Sequence, residues 1–100
     1  MNSYWNSPEN KSLEQTEEQK KLENWVLANR FLYYVEADPV LSHYYYDRLE
    51  SKAREICAET SPVNDVGSSL PSSYSPEIQA LAKSISENPK EHLSEVNGIF

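Results

Sequence analysis

The chain has 100 residues, 38% of them hydrophobic, 25% charged and only two of them glycine, which suits a single small helical domain with a core of limited size. Its formal net charge of −7 is the wrong sign for a protein that grips nucleic acid directly, because phosphate contact needs a basic stripe. The lone cysteine, Cys57, excludes an intramolecular disulfide, and with no bilayer-length apolar run and no charged-then-apolar leader a cytoplasmic protein away from membranes is expected.

Residues 1–11, MNSYWNSPENK, are polar apart from Tyr4 and Trp5 and read as a flexible arm. Ser12 is a candidate cap. From Leu13 to about residue 36 the sequence is rich in Glu, Gln, Lys and Leu and free of Gly and Pro, which predicts one long helix. Leu22, Trp25, Val26, Asn29, Leu32 and Tyr33 recur at three-four spacing and define its buried stripe. Glu14, Glu17 and Glu18 sit near its start, where the helix dipole favours negative charge, and otherwise read as a solvated face. Ala37-Asp38-Pro39 stops this helix, since proline lacks an amide hydrogen and pushes the preceding residue out of helical geometry.

Ser42 is the natural cap of a second helix over 43–58, with Tyr46, Leu49, Ala53 and Ile56 on its apolar stripe. Cys57 lies beside that stripe and reads as a small core residue rather than a nucleophile. Residues 60–73 form a loop in which Gly67 is expected to take a positive backbone angle. Ser75-Pro76-Glu77 then combines a cap, a first-position proline and an acid, predicting a third helix over 75–87 with Ile78, Leu81, Ala82 and Ile85 inward. Asn88-Pro89 ends it, and 89–96 has room for one or two turns using Leu93 and Val96 before a free apolar end, Ile99-Phe100. The expected fold is an all-α, small helical bundle built on an antiparallel helical hairpin, with Trp25, Leu32, Leu49, Ile56, Ile78 and Leu81 buried.

Five of the seven tyrosines flank the turn of that hairpin: Tyr33, Tyr34, Tyr44, Tyr45 and Tyr46. Tyr33 and Tyr46 can face each other across it, with Asp47 and His43 alongside. Phenol rings, a carboxylate and an imidazole in one place can bind a flat polar ring, or can simply cap a small core. Other chemistry has no foothold. His43, His92 and Cys57 have no metal-ligand spacing, and neither a glycine-rich phosphate loop nor a Gly-x-Ser-x-Gly elbow occurs.

The run Tyr33-Tyr34-Val35-x-x-x-Pro39-x-Leu41-x-x-x-x-Tyr46-Asp47-x-Leu49 resembles the N-terminal helical domain, domain Ia, of bacterial NAD-dependent DNA ligases. Ser61-Pro62-Val63-Asn64-Asp65-Val66-Gly67 is similar to the Ser-Pro-Thr-x-x-Val-Gly segment that follows in those enzymes. Together the two motifs cover about residues 22–67, so residues 12–67 form a ligase-like hairpin with its loop and 68–100 a helical segment packing on it. The resemblance implies a domain that closes over the nicotinamide mononucleotide half of NAD, with Tyr33, Tyr34, His43, Tyr46 and Asp47 on the nicotinamide side. His43 stands where the family has an acidic residue, Asp65 where it commonly has a basic one, and Val63 in place of threonine.

The Lys-x-Asp-Gly nucleophile of a ligase's next domain occurs nowhere in the chain, and adenylation needs that lysine. The sequence therefore predicts a non-catalytic binding module that takes NAD or nicotinamide mononucleotide, or docks on a separate nucleotidyltransferase. The alternative is a small acidic phage or mobile-element protein that reuses the scaffold to inhibit or redirect a basic host protein.

Overall fold

Thr16 caps the first helix among residues 15–99, which the computed structural model describes. Its extended backbone and hydroxyl bond from the Gln19 amide form a capping box with the Gln19 side chain, satisfying two orphan donors at once. Helix α1 therefore runs Glu17–Arg30, shorter than the expected helix from Leu13. The arm over 1–11, Ser12, Leu13 and Phe100 lie outside the described residues.

Beyond Arg30 the helix widens into a π turn, Phe31–Val35. Glu36 N–H donates to the Phe31 carbonyl at 3.0 Å and Asp38 N–H to the Leu32 carbonyl at 2.8 Å. Ala37 then takes φ 54°, a left-handed conformation costly for a residue with a Cβ, and the chain turns at Pro39. Ser42 caps α2, His43–Ile56, through the Tyr45 amide. Two single-turn 3₁₀ segments, Pro62–Asn64 and Pro71–Ser73, interrupt the loop that follows. Ser75 caps α3, Pro76–Glu87, by accepting from the Ile78 amide. Pro89–Asn97 forms a nine-residue helix, α4, slightly longer than the one or two turns expected. The described residues contain no strand, and the fold is an all-α bundle.

Helix α1 is the centre of that bundle because it buries two faces instead of one stripe. Leu22, Trp25 and Val26 join Leu49, Ala53 and Cys57 of the α2 side, with Val63 from the loop and Val96 from α4. On the other side Ala28, Phe31 and Leu32 meet Tyr74 and the Ile78, Ala82 and Ile85 stripe of α3. Each fully buried Leu or Val contributes about 1.5–3 kcal/mol, so both faces are needed in a chain this short. Trp25, Leu32, Leu49 and Ile78 are buried as the periodicity predicts. Ile56 and Leu81 are only half-buried, lying at the edges of the clusters. In α4 the inward residues are His92 and Val96, while Leu93 is exposed, and Ile99 packs against the first cluster instead of hanging free.

Candidate functional site

The π turn and the left-handed Ala37 decide where the tyrosines go. Regular three-four spacing would carry Tyr33 into the core behind Asn29, but the inserted residue rotates it outward and it is 43% exposed, a correction to the expected stripe. Such π insertions recur at binding sites because they re-aim side chains without ending the helix. Tyr33 and Tyr34 then form one wall of a cleft of about 390 Å³. His43, Tyr46 and Asp47, from the first turn and a half of α2, form the facing wall, with Leu41 and Asn29 between. All five residues singled out in the sequence thus line one cleft, whose size falls within the range of about 300–1,000 Å³ usual for small-molecule sites.

The ring that meets Tyr33 across the turn is His43 and not Tyr46. Their centroids are 5.5 Å apart at 78°, and the Tyr33 hydroxyl lies 3.5 Å from His43 Nε2. Tyr33 and Tyr34 also meet edge to face at 5.0 Å. These contacts leave ring faces available for a flat ligand, since an edge-to-face pair uses the rim of one ring and the face of the other.

Tyr46 is held by a network that the sequence motifs do not disclose. Arg30 is buried to 3% exposure and donates to four acceptors: Tyr46 Oη at 3.0 Å, Glu50 Oε2 at 2.8 Å, and the Pro62 and Val63 carbonyls at 3.0 and 2.8 Å. Tyr46 in turn donates to Glu50 at 3.0 Å. Burial of the Arg30 guanidinium disfavours its charge, but Glu50 and Tyr46 outweigh this and raise its pKa. Burial likewise opposes the Glu50 carboxylate, yet Arg30, Tyr46 and Arg54 hold its pKa below the usual range. Burial pushes the Tyr46 phenol up to about 12, so it stays protonated and keeps donating.

The second motif reaches the cleft through this network. Ser61 caps the 3₁₀ turn, donates to Glu23 at 2.6 Å, and leaves the Pro62 and Val63 carbonyls facing Arg30. Gly67 does not have the expected positive backbone angle. Its role is space: a Cβ there would run into the ring of Tyr34. The Ser-Pro-x-x-x-Val-Gly segment therefore backs the tyrosine wall from behind, while Asp65 faces away from the cleft into a shallow depression beside Leu27.

Asn29 is a second buried polar residue that periodicity placed among the core positions without assigning it chemistry. It is 4% exposed, and its Nδ2 donates to the Trp25 carbonyl at 2.8 Å and lies 3.0 Å from His92 Nε2. His92 also sits edge-on to Trp25 at 5.3 Å, and burial pulls its pKa down to about 4. His92 is therefore neutral at pH 7. The sequence signal available was only an Asn on an apolar stripe, and its partner lay 63 residues away.

Comparison of the chain with known protein families, curated proteins and solved structures returns no match. Among the described residues, no group of three His, Cys, Asp or Glu side chains could hold a metal ion, and no helix is long and apolar enough to cross a membrane. Cys57 is buried, with its thiol pKa raised by burial and by Glu23, which makes it a poor nucleophile.

Proposed function

We propose that the protein is a non-catalytic binding module whose cleft takes the nicotinamide mononucleotide half of NAD. The observation that carries this reading is the convergence of Tyr33, Tyr34, His43, Tyr46 and Asp47 on one cleft. Those are the residues that the ligase resemblance selects, drawn from both sides of the turn. The chemistry of the lining suits the ligand. Tyrosine faces attract a cationic pyridinium ring, and the exposed Asp47 carboxylate can accept from ribose hydroxyls. Free first-turn amides of α2, next to Ser42 and His43, offer donors to a phosphate. A partner that carries the adenylating lysine would complete such a module, and a separate nucleotidyltransferase is the natural candidate. This role requires no nucleophile of the chain's own.

Titration calorimetry with nicotinamide mononucleotide, NAD and AMP tests the reading. The mononucleotide should bind weakly, with a Kd near or above about 1 mM because few groups contact it, and should compete with NAD, whereas AMP should not. Tyr33→Ala and Asp47→Asn should abolish binding with unchanged helix content. They are cleaner probes than Tyr46→Ala, which also disturbs Arg30. His43→Asp, which restores the family's acid, should tighten binding. Absence of heat from both nicotinamide ligands, in the natural sequence and in His43→Asp alike, would end this reading. The tyrosine wall would then serve as a protein-docking face for a basic host target, which a pull-down from native cytoplasm would identify.

A further inference from the structure

The amide of Asn29 can be oriented by its neighbours alone. The Trp25 carbonyl at 2.8 Å is purely an acceptor, so the atom facing it must be Nδ2, because a flipped amide would set two oxygens against each other. The second hydrogen of Nδ2 points to His92 Nε2 at 3.0 Å, which fixes neutral His92 with its proton on Nδ1. Both donors of Asn29 are thus committed to the core side. Its Oδ1 has no partner among the described residues, although the side chain is 4% exposed and lines the cleft. A buried carbonyl oxygen without a donor is costly, and native structures contain few of them.

The Tyr33, Tyr34, Ser42 and His43 side chains can donate to a ligand, whereas two other lining groups share the acceptor character of Asn29. Asp47 and Glu50 are acceptors, and the Tyr46 proton is already given to Glu50. A ligand group that reaches Asn29 therefore meets an acceptor, and the complementary group is an uncharged N–H donor. A carboxylate at that point would set its oxygens against Oδ1. A ketone would leave Oδ1 unsatisfied.

We infer that Asn29 is the specificity-determining residue of the cleft: its Oδ1 accepts from an N–H of the ligand, which in a pyridine nucleotide selects the 3-carboxamide over the 3-carboxylate. His92 is a positioning residue that acts through Asn29 by holding the amide in this orientation. The inference rests on the binding reading above, deepening it from a flat ring to a primary aromatic carboxamide.

The test compares three ligands by calorimetry on the natural protein: nicotinamide mononucleotide, nicotinic acid mononucleotide, and the analogue with acetyl in place of carboxamide. Both substitutes should bind about tenfold or more weaker than the amide, the expected loss when one buried hydrogen bond goes unmade. Equal affinity of the acetyl analogue and the amide would overturn the role of Asn29 while leaving nicotinamide binding intact. Absence of binding by all three would overturn the binding reading itself, and the inference with it. Asn29→Leu provides the second arm, with folding followed by circular dichroism. If it folds, its affinities for the amide and the acetyl analogue should become equal. A retained tenfold preference in that variant would also overturn the assignment.

Discussion

Asn29 and Arg30 are consecutive, polar and almost fully buried, yet their side chains donate to different elements. Arg30 faces α2 and the loop, and four acceptors at 2.8–3.0 Å surround its guanidinium. Asn29 faces α4, and the structure satisfies only its donors. A buried charge must be matched at every point or it destabilises the fold by several kcal/mol, whereas a neutral amide can keep one atom in reserve at modest cost. The Arg30 side is accordingly a clamp that joins the two sequence motifs. The Asn29 side is where the fold leaves a group for something else to meet.

Removing the clamp should have the largest effect. Arg30→Met leaves half-buried Glu50 with only Tyr46 and the more distant Arg54, and strips the Pro62 carbonyl of its donor while Arg54 still reaches Val63, and should cost about 3 kcal/mol in denaturant unfolding. Arg30→Lys should recover little of this, because one ammonium cannot reach all four acceptors with the planar fork that guanidinium provides. A loss under about 1 kcal/mol in either variant would mean that the network is ornamental and that the hairpin is held by its apolar contacts.

Those apolar contacts should rank next, and unequally. Leu49 is fully buried between the hairpin arms, and Leu49→Ala should cost about 2–5 kcal/mol. Ile56 is half-buried at the edge of the cluster, so Ile56→Ala should cost less than about 2 kcal/mol. Comparable losses at the two positions would show that the end of α2 packs more deeply than its exposure indicates.

How far the sequence disclosed this arrangement depended on range. Caps are local, so Ser42 and Ser75 announced their helices, and the Pro39 stop was legible for the same reason. Thr16 with Gln19 carries an equally local signal, obscured by the Glu-rich run around it. The π turn has no sequence mark, and neither does Ala37, an ordinary residue in an unfavourable conformation. The five cleft residues could be selected because a motif spanned the turn. Their geometry could not, since the π rotation replaced the expected Tyr33–Tyr46 pair with Tyr33–His43. Arg30 was invisible as a core residue because its partners, Glu50, Pro62 and Val63, lie 20–33 positions away. His92 was hidden in a segment too short to show a stripe.

Acid should separate the two polar centres. His92 has a folded pKa of about 4 against an ordinary 6.5, so the unfolded chain binds its proton first. Stability should be full above pH 6.5 and fall as the pH drops from 6.5 towards 4, by on the order of 3 kcal/mol. Glu50, whose folded pKa is lowered, acts in a different window: its contribution is present above its ordinary value of 4.5 and is lost only below it. Unfolding curves at pH 7, 5.5 and 4.5 should therefore show a decline that His92→Gln abolishes and Glu50→Gln does not. A flat profile across those three values would place His92 in a more solvated setting.

The smallest expected change in stability concerns Gly67, and it bears directly on the cleft. A Cβ at this position meets the Tyr34 ring, and two atoms cannot share that space. Tyr34 is 45% exposed, so its ring can swing towards solvent instead of straining the backbone. Gly67→Ala should consequently cost less than about 1 kcal/mol, as for most surface substitutions. The swing nevertheless takes one tyrosine face out of the wall and breaks the edge-to-face contact with Tyr33, so ligand affinity should fall as it does for Tyr34→Ala. In a double-mutant cycle the two changes should be non-additive, because each removes the same face. A loss above about 2 kcal/mol in Gly67→Ala would show instead that Tyr34 is rigidly held, which makes the loop and the tyrosine wall one structural unit. Additive losses of affinity would show that Gly67 acts on the cleft by some route other than Tyr34.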